Sequence, residues 1–466
     1  MREGVVSQQT FPTRWLAGTR KAVLCGTYFG LFSSMACGIQ SQTPFVEVQR
    51  AAEAGEANAQ TALGVKYEAG EEVNQDFQQA ASWFRLAAEQ GNAEAQFNLG
   101  VLYAKGEGLP QSDQQAARWY RKAAEQGVLD AEFSLGIVLM KGGPGQNMAE
   151  AVFWFRKAAD VGQAKAESQL GMMYAAGMGV EHDPQQAIRW YTKAAEQGMA
   201  SGETYLAMMY AIGDGTAQDL HQASVWLHKA ADQNYPDAQY DIGVMYEKGI
   251  GVPRGPVQAA TWFHLAADQG FPAAQYNLGL LYLQGYGVIQ DVAKATSLFA
   301  KSAEQGNAYA QFHLGALYEL GQGVEKDTGQ AAGWYRKSAD QGIAHAQNCL
   351  GVLYAEGDGV PQDFSQAVFW FRKAADQGFA DGQFNLGVAY LSGNGVVKDQ
   401  KQATSLFRKA AEQGHDKAEE KLGEMYAEGS GVTKNVQEAA SWYRKAAAQG
   451  NTDAQHNLSL MQPVNQ

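Results

Sequence analysis

The sequence predicts an all-α fold: an α/α superhelical solenoid of eleven 35 to 36-residue helix-turn-helix repeats plus a terminal half repeat. Three observations predict it. A glycine recurs with a period of 36 residues, a tryptophan recurs in phase with it, and each repeat carries a helix start signal at the same place. Because each repeat of a solenoid contacts only its neighbours, the 466 residues are expected to form one elongated domain.

The recurring glycine usually follows a leucine and defines a landmark position in each repeat. The step between landmarks is 36 residues except for one step of 35, and one landmark is alanine. The landmarks are Gly64, Gly100, Gly136, Gly171, Ala207, Gly243, Gly279, Gly315, Gly351, Gly387 and Gly423. A glycine inside a helix costs about 1 kcal/mol relative to alanine, so its recurrence predicts a helix contact too close for a methyl group. At Ala207 we expect that contact to be looser.

Nine of the ten tryptophans occupy one position, nineteen residues after the landmark, or eighteen in the short repeat. They are Trp83, Trp119, Trp154, Trp190, Trp226, Trp262, Trp334, Trp370 and Trp442, and Leu298 and Leu406 replace them in two repeats. A fully buried indole contributes on the order of 4 to 6 kcal/mol of hydrophobic stabilisation. We therefore expect the tryptophans to be the buried side chains that join the repeats into a continuous core.

Each repeat reads as two short helices. The first ends at glycines such as Gly106, and the second starts at an accepted N-cap residue twelve positions after the landmark, with Gln or Glu three residues later in ten repeats, the spacing of a capping box. The N-caps are Asp76, Ser112, Asn147, Asp183, Asp219, Gly255, Asp291, Asp327, Asp363, Asp399 and Asn435. The second helix ends in sequences such as "RKAAEQG", where Gly127 is expected to adopt the left-handed conformation.

The pattern A-x-x-x-L-G-x-x-Y-x-x-G-x-G, continued by D-x-x-x-A-x-x-W-x-x-K-A-A-x-Q-G, is written almost in full by Ala95 to Gly127 and by Ala346 to Gly378. It resembles the Sel1-like repeat, which is similar to the tetratricopeptide repeat with a longer turn. The resemblance covers residues 51 to 461 and is of the bacterial exported type. It implies an α/α superhelix that binds other proteins and carries no catalytic machinery.

The domain boundaries follow from this pattern. Residues 37–55 are assigned as a linker and lead-in, and 56–466 as the repeat array, with units starting at 56, 92, 128, 163, 199, 235, 271, 307, 343, 379 and 415. The half unit 451–466 is either a closing cap or a docking edge for a second chain.

Residues 1–36 are predicted to be a signal peptide. Basic residues precede the apolar stretch "AVLCGTYFGLFSSMA", which ends at Ala36 and is shorter than the roughly 20 residues of a membrane span. We therefore expect an exported protein, periplasmic or secreted. An outer-membrane lipoprotein acylated at Cys37 is one alternative, and an unstructured cytoplasmic leader is another.

The composition disfavours several classes of partner and cofactor. The net charge of −13 repels phosphate backbones, so nucleic acid is not an expected partner. Only Cys349 lies inside the array, so no disulfide is expected there. We expect no cofactor and no metal site, because the eight histidines form no H-x-x-x-H pair; they are read as surface or capping residues. They are His182, His221, His228, His264, His313, His345, His415 and His456.

No catalytic residue is predicted, since the sequence contains no S-x-x-K, K-T-G or G-x-S-x-G motif. The expected function is that of a non-enzymatic scaffold or adaptor that binds a protein or peptide on the concave face of the superhelix. The alternative is a cell-wall-acting or penicillin-recognising hydrolase resembling cysteine-rich Sel1-repeat proteins, although this chain lacks their cysteine pairs.

The candidate partner-binding residues lie three positions before the landmark, with polar residues beside them. The set is Phe97, Phe133, Tyr240, Tyr276, Asn277, Phe312, His313, Phe384 and Asn385. By analogy with tetratricopeptide arrays, this stripe of the first helix lines the concave surface, where rings could hold an extended peptide. The competing interpretation is that the rings pack between adjacent first helices.

Overall fold

The computed structural model describes residues 45–141 and 147–461. The predicted signal peptide and Cys37 lie outside these residues. Within them, every regular element is an α-helix, which confirms the predicted all-α solenoid. The chain divides into two compact units, Met1–Arg254 and Gly255–Gln466, which are considered separately. None of the helices in the described ranges has the length and apolar character needed to cross a bilayer.

The described residues of the first unit form twelve helices: α1 (Phe45–Glu53), α2 (Ala57–Ala69), α3 (Phe77–Glu89), α4 (Ala93–Lys105), α5 (Asp113–Glu125), α6 (Leu129–Lys141), α7 (Met148–Asp160), α8 (Ala164–Ala176), α9 (Pro184–Glu196), α10 (Ala200–Ile212), α11 (Leu220–Asp232) and α12 (Pro236–Lys248). The second contains α13 (Pro256–Asp268), α14 (Pro272–Gln284), α15 (Val292–Glu304), α16 (Ala308–Leu320), α17 (Thr328–Asp340), α18 (Ala344–Glu356), α19 (Phe364–Asp376), α20 (Ala380–Ser392), α21 (Gln400–Ala411), α22 (Asp416–Glu428), α23 (Val436–Ala448) and α24 (Thr452–Met461). From α2 onward, even numbers are first helices and odd numbers are second helices.

The predicted helix boundaries are confirmed. The eleven predicted residues are the N-caps of the second helices, and ten of them accept hydrogen bonds from backbone N–H groups of the first turn; Gly255 has no side chain to do so. Gly106 closes α4 at φ 77° and donates its N–H to the Leu102 carbonyl. Gly127, after α5, has φ 84°, as expected of the left-handed closing residue.

The capping-box prediction is wrong in one respect. A capping box needs the side chain at N3 to accept the N–H of the N-cap residue. In nine repeats that N–H instead donates to the backbone carbonyl of a tyrosine near the end of the first helix, as Asp327 does to Tyr318 at 3.0 Å. The bond ties the start of the second helix to the first helix, so the N3 side chain has no role in satisfying that donor.

In nine repeats the core contains a close contact between the landmark glycine and the residue directly after the tryptophan position. A Cβ atom built on Gly387 would lie 2.7 Å from Cε1 of Phe407, and on Gly315 2.8 Å from Cδ1 of Tyr335. This confirms that the landmark leaves no room for a methyl group. The ring positions are Phe84, Tyr120, Phe155, Tyr191, Leu227, Phe263, Phe299, Tyr335, Phe371, Phe407 and Tyr443, and all are buried.

The expectation that the tryptophans are the fully buried side chains of the core is wrong for six of the nine. Trp119, Trp154 and Trp370 are buried, whereas the other six are half-buried. A lysine three residues later covers the exposed part of several rings, as Lys337 does at 3.8 Å from the centroid of Trp334. The indole therefore belongs to the amphipathic outer layer of the repeat and carries a cation on its face. The side chain directly after the tryptophan position forms the centre of the repeat.

The one landmark that is alanine is matched by the one ring position that is aliphatic. Ala207 and Leu227 belong to the same repeat, and both are fully buried. The sequence and the burial together lead us to infer that a methyl group on the first helix takes the space that the smaller leucine leaves on the second. The looser contact expected at Ala207 stays a prediction.

A buried amide or carboxylate lies four residues before each landmark, and most of the amides link three helices. Gln311 Nε2 donates to the Ala303 carbonyl at the end of the preceding second helix (3.0 Å), and Gln311 Oε1 accepts from Gln341 Nε2 (2.8 Å). Four repeats carry a buried glutamate there: Glu132, Glu167, Glu203 and Glu419. Glu132 pairs with Lys157 at 2.6 Å. An ionised carboxylate cannot donate to the carbonyl, so these repeats lose one bond of the link.

Substituting Glu167 and Glu203 with glutamine is expected to stabilise the first unit by about 1 to 2 kcal/mol at pH 7, since each amide restores a bond to a helix-end carbonyl. Burial raises the pKa of both carboxyl groups above 4.5, against a lowering by Lys193 and Lys229. The folded state thus binds the proton more tightly than the unfolded chain, and this stabilisation is present below pH 4.5 and lost as pH rises through the raised pKa.

Urea denaturation between pH 4 and pH 8 measures this effect. The Glu167→Gln, Glu203→Gln variant should exceed the parent protein in stability at pH 7 and approach it at pH 4, whereas Glu181→Gln, at an exposed position in the turn before α9, should change little at either pH. A stability gain that is the same at both pH values would contradict the assignment.

Both ends of the array are helical. The segment assigned as linker and lead-in includes a helix, α1, whose Val48 and Ala52 are buried in a cluster with Leu63 of α2. At the other end, α24 buries Ala454 against Tyr443 and Ala446 of α23. Whether the half unit is a cap or a docking edge stays open.

Candidate functional site

The candidate site lies on the first helices of the second unit. Tyr276, Phe312 and Phe384 occupy equivalent positions on α14, α16 and α20, and each is half-buried. Their ring centroids lie 5.8, 5.9 and 5.7 Å from the buried rings of their own repeats, Phe299, Tyr335 and Phe407 respectively. The core of each repeat therefore fixes these rings from beneath, so that they need little reordering to meet a ligand.

Histidines and further rings connect these aromatic residues from repeat to repeat. His313 lies 5.7 Å from Tyr276 and 5.3 Å from Phe312. His345 of α18 lies 5.8 Å from Phe312 and 4.3 Å from Phe379 at the start of α20. We call the connected set Tyr276, Tyr309, Phe312, His313, His345 and Phe379 the aromatic row. It crosses four consecutive repeats.

The two histidines of the aromatic row are neutral at neutral pH. Burial lowers the pKa of His313 to about 4, with a smaller contribution from the charge of His345. Burial also lowers the pKa of His345, partly opposed by the carboxylate of Asp381. His313 is thus a core-facing ring stacked on Phe299 at 5.3 Å, and its assignment as a surface or capping residue is wrong. At neutral pH the row presents uncharged rings.

A second group follows on α20 and α22. Phe384 stacks on His415 at 4.8 Å, and His415 Nε2 lies 3.1 Å from Asp381 Oδ1. The hydrogen bond from His415 lowers the pKa of Asp381. Nδ1 of His415 accepts the N–H of Ala418, so the expected capping role is confirmed for this histidine.

A cavity of about 180 Å³ opens between α18 and α20, with α19 at its base. Its lining is mainly apolar, with Val352, Phe364 and Val388 among the side chains, and its polar members include Glu356 and Asn385. Asn385 donates to Asn348 Oδ1 at 2.9 Å, a bond between neighbouring first helices. The cavity is of the size of one apolar side chain.

The predicted residues of the first unit offer less surface. Phe97 is half-buried and lies 5.7 Å from Tyr120. Phe133 and Tyr240 are each only 8% exposed. Asn277, in the second unit, is half-buried on α14. The structure therefore brings Tyr276, Phe312 and His313 into one row and Phe384 and Asn385 beside the cavity, while the other predicted rings lie in the other unit.

Sequence reasoning missed Tyr309, His345, Phe379 and His415. Tyr309, His345 and Asp381 share one position, six residues before the landmark, and Phe379 and His415 share another, eight before it. Comparing the repeats at these two positions would have found them, because both are variable and both fall at the start of the first helix. Only the structure shows that they touch the stripe of the neighbouring repeat.

The chemistry of the described residues gives little support for a hydrolytic site. Burial raises the pKa of Cys349 to about 12, which keeps the thiol protonated. Ser224 Oγ lies 3.4 Å from His228 Nδ1, but that nitrogen lies 2.8 Å from the Ser224 carbonyl and must donate to it. It therefore cannot accept the serine proton. Residues 45–141 and 147–461 contain no group of three or more acidic, histidine or cysteine side chains arranged to hold a metal ion.

The repeat geometry agrees with comparisons to known proteins. The Sel1 repeat pattern matches eleven consecutive segments, 57–92, 93–128, 129–163, 164–199, 200–235, 236–271, 272–307, 308–343, 344–379, 380–415 and 416–451. Among curated protein sequences, none matches the chain significantly.

Two solved structures are similar over most of their length. The first is c5321, a protective antigen present in uropathogenic Escherichia coli strains, with 40% identity over 90% of this chain and 90% of that chain and a TM-score of 0.67. The second is a Sel1 repeat protein from Oxalobacter formigenes, with 33% identity over 74% of this chain and 90% of that chain and a TM-score of 0.45. The eleven matched repeats and the shared helix-pair fold establish that this chain belongs to the Sel1 repeat family.

Proposed function

We propose that the chain is a non-enzymatic scaffold that binds a protein or peptide along the first helices of the second unit. Solenoids of this family are generally protein-interaction scaffolds. The observation that carries the proposal is the aromatic row, because its rings are uncharged, fixed from beneath and continuous over four repeats. Rigid aromatic surface binds peptides with little loss of side-chain entropy.

Two features support an extended segment as the ligand. First helices of successive repeats come into direct contact, α18 with α20 and α22 with α24, which favours a concave surface on this side of the unit. The row and the cavity beside Asn385 follow one another along the first helices in order of repeat number. A peptide in extended conformation could place one apolar side chain in the cavity and others against the rings.

We further propose that the protein acts after export, on the evidence of the N-terminal sequence described above.

Photo-crosslinking in the producing cells tests this proposal. A photoreactive residue at position 309 or 388 replaces Tyr309, which is 42% exposed, or Val388, which is 39% exposed. The control position is 265, because Leu265 is equally exposed at 42% but lies on a second helix, α13. We expect one protein to be captured from positions 309 and 388 and not from 265.

A second variant makes the result specific to the cavity. Val388→Glu places a charge at the cavity beside Asn385 and is expected to abolish the adduct formed from position 309 without changing the melting temperature. Equal capture from all three positions would rule out the first helices of the second unit as the binding surface, and an adduct at position 309 that survives Val388→Glu would exclude the cavity from it.

A further inference from the structure

A groove of about 530 Å³ on the second helices of the second unit is lined by a residue with a buried hydrogen-bond donor, for which the described part of the chain supplies no acceptor. The groove lies between α17 and α19, and its lining includes Arg336, Trp370 and Lys373. Trp370 is 2% exposed, and its Nε1–H has no hydrogen-bond partner among the described residues. Buried polar groups in proteins are almost always paired, so this donor calls for an explanation.

The same ten residues occur twice in the chain, and the first copy shows what such a donor binds. The sequence "AVFWFRKAAD" spans 151–160 in the first unit and 367–376 in the second. Trp154 meets Phe153 at 5.0 Å and 79°, and Trp370 meets Phe369 at 4.9 Å and 83°. A lysine three residues later lies 5.1 Å from the Trp154 centroid and 4.9 Å from that of Trp370. The two indoles therefore share a phenylalanine and a lysine as neighbours in the same arrangement.

In the first copy a carboxylate occupies the place in front of the indole. Trp154 Nε1 donates to Glu150 Oε1 at 3.3 Å. Arg121 donates to the same oxygen from Nη2 at 2.6 Å and from Nε at 3.2 Å, and Asn147 Nδ2 donates to Glu150 Oε2 at 2.9 Å. Glu150 thus connects the guanidinium of the preceding repeat to the indole of its own repeat.

In the second copy the cations remain and the carboxylate is replaced. Gln366 stands where Glu150 stands, and Arg336 where Arg121 stands. Arg336 donates to the Tyr354 hydroxyl, and its Cζ lies 5.2 Å from the centroid of the Trp370 ring. A guanidinium has five N–H groups, so others remain for a further acceptor. Neither Arg336 nor Lys373 forms an ion pair with any described residue.

Two acidic residues near the groove do not fill that place. Asp340 lines the groove without an ion pair to Arg336 or Lys373 in the described part of the chain. Asp363 takes the place of Asn147, but its Oδ1 accepts the backbone N–H groups of Ser365 and Gln366 as the N-cap of α19. The group that the first copy has and the second lacks is a carboxylate held between arginine and indole.

We propose that this groove binds the carboxylate side chain of a peptide partner, in the position that Glu150 fills in the first unit. The carboxylate accepts hydrogen bonds from Trp370 Nε1 and Arg336 and faces the ammonium of Lys373. Phe369, which is exposed and lies under Lys373 at 4.6 Å, packs against an apolar neighbour in the peptide. The site lies on second helices and is separate from the aromatic row, so it stands independently of the proposed function.

Titration of the 15N-tryptophan-labelled full chain with two capped peptides, acetyl-Leu-Glu-Leu-amide and acetyl-Leu-Gln-Leu-amide, tests the proposal by NMR. The Trp370 indole N–H resonance, assigned by its loss in Trp370→Phe, is expected to move downfield with the glutamate peptide and to stay in place with the glutamine peptide. Equal movement with both peptides, or no movement with either, would overturn the proposal.

The first copy supplies the matched variants. Gln366→Glu provides the carboxylate from within the chain, as Glu150 does, so it is expected to weaken binding of the glutamate peptide by about tenfold or more without lowering the melting temperature. Glu150→Gln opens the first copy, so the Trp154 indole resonance should begin to respond to the same peptide. Undiminished binding to Gln366→Glu, or a Trp154 resonance that ignores the peptide in Glu150→Gln, would show that the carboxylate does not take the Glu150 position.

Discussion

Replacing Phe299 with alanine is expected to destabilise the second unit by about 3 to 5 kcal/mol, the usual cost of truncating a fully buried phenylalanine. Phe299 is completely inaccessible to solvent, and it packs in one cluster with Ala295, Leu314 and Leu317. The landmark Gly279 lies directly against the ring and has no side chain of its own. Filling the cavity that the substitution leaves would therefore require a helix to move. Guanidinium denaturation and amide hydrogen exchange of α14 to α16 measure the loss.

The matched variant is Trp334→Ala in the next repeat. Its indole is larger than the phenyl ring but half-buried, with Lys337 over its exposed face. We expect it to cost only about 1 to 2 kcal/mol, in proportion to the smaller area removed from solvent. If Trp334→Ala proved as costly as Phe299→Ala, the recurring tryptophan, and not the residue after it, would be the main stabilising side chain of the repeat.

Replacing Gly387 with alanine is expected to destabilise the second unit by about 2 kcal/mol. The added Cβ would lie 2.7 Å from Phe407 Cε1, and relieving such an overlap costs about 1 to 3 kcal/mol, against a gain of about 1 kcal/mol in helix propensity. Because the ring is itself enclosed by Ala403, Leu422 and Met425, it has no free space to move into. The midpoint of chemical denaturation reports the change.

The pair Ala207 and Leu227 predicts the compensating change. Adding Phe407→Leu to Gly387→Ala should recover at least about 1 kcal/mol of the lost stability, because the double variant has the combination that one repeat already uses. A double-mutant cycle over the two positions measures this recovery. Gly333→Ala serves as the control: Gly333 lies inside α17 with open space where its Cβ would be, so the substitution should stabilise by about 0.5 to 1 kcal/mol. Strict additivity of the two changes at 387 and 407 would disprove the direct contact.

The fold could be predicted from the sequence because its determinants are local and repeated eleven times. N-caps such as Asp363 and closing glycines such as Gly127 are set by backbone conformation within a few residues, and a period of 36 residues shows where each recurs. The close approach at the landmark glycine was also predictable, because glycine inside a helix has a cost that only packing can offset.

The identity of the contacting side chains was less accessible. Tryptophan is rare and large, so its recurrence is the stronger signal in the sequence. The residue directly after it varies among Phe, Tyr and Leu and gives a weaker signal. The helix turns by about 100° per residue, so adjacent positions face different surroundings, and only the inward one is buried on all sides. The aromatic row was half predictable for a similar reason: Tyr276 and Phe312 share a position, whereas His345 and Phe379 come from two others.

The carboxylate groove could not be predicted from sequence at all. The identical segments 151–160 and 367–376 look like ordinary repetition, and the difference between Glu150 and Gln366 looks conservative. The importance of this difference depends on Arg121 and Arg336. They lie 29 residues before Glu150 and 30 before Gln366, and they come near the tryptophan only when the second helices of two repeats pack together.

The glycine–ring contact also constrains how such a gene can gain or lose modules. The two partners, Gly387 and Phe407 for example, lie twenty residues apart and in the same repeat, so a duplication or deletion whose breakpoints fall between repeats carries both together. A breakpoint between the two helices separates them, which matters when one parent is the repeat of Ala207 and Leu227: the hybrid then joins a glycine to a leucine, leaving a void, or an alanine to an aromatic ring, producing an overlap. Recombination within helix pairs is therefore tolerated between repeats that share the glycine and the aromatic ring, and penalised where this one repeat is involved.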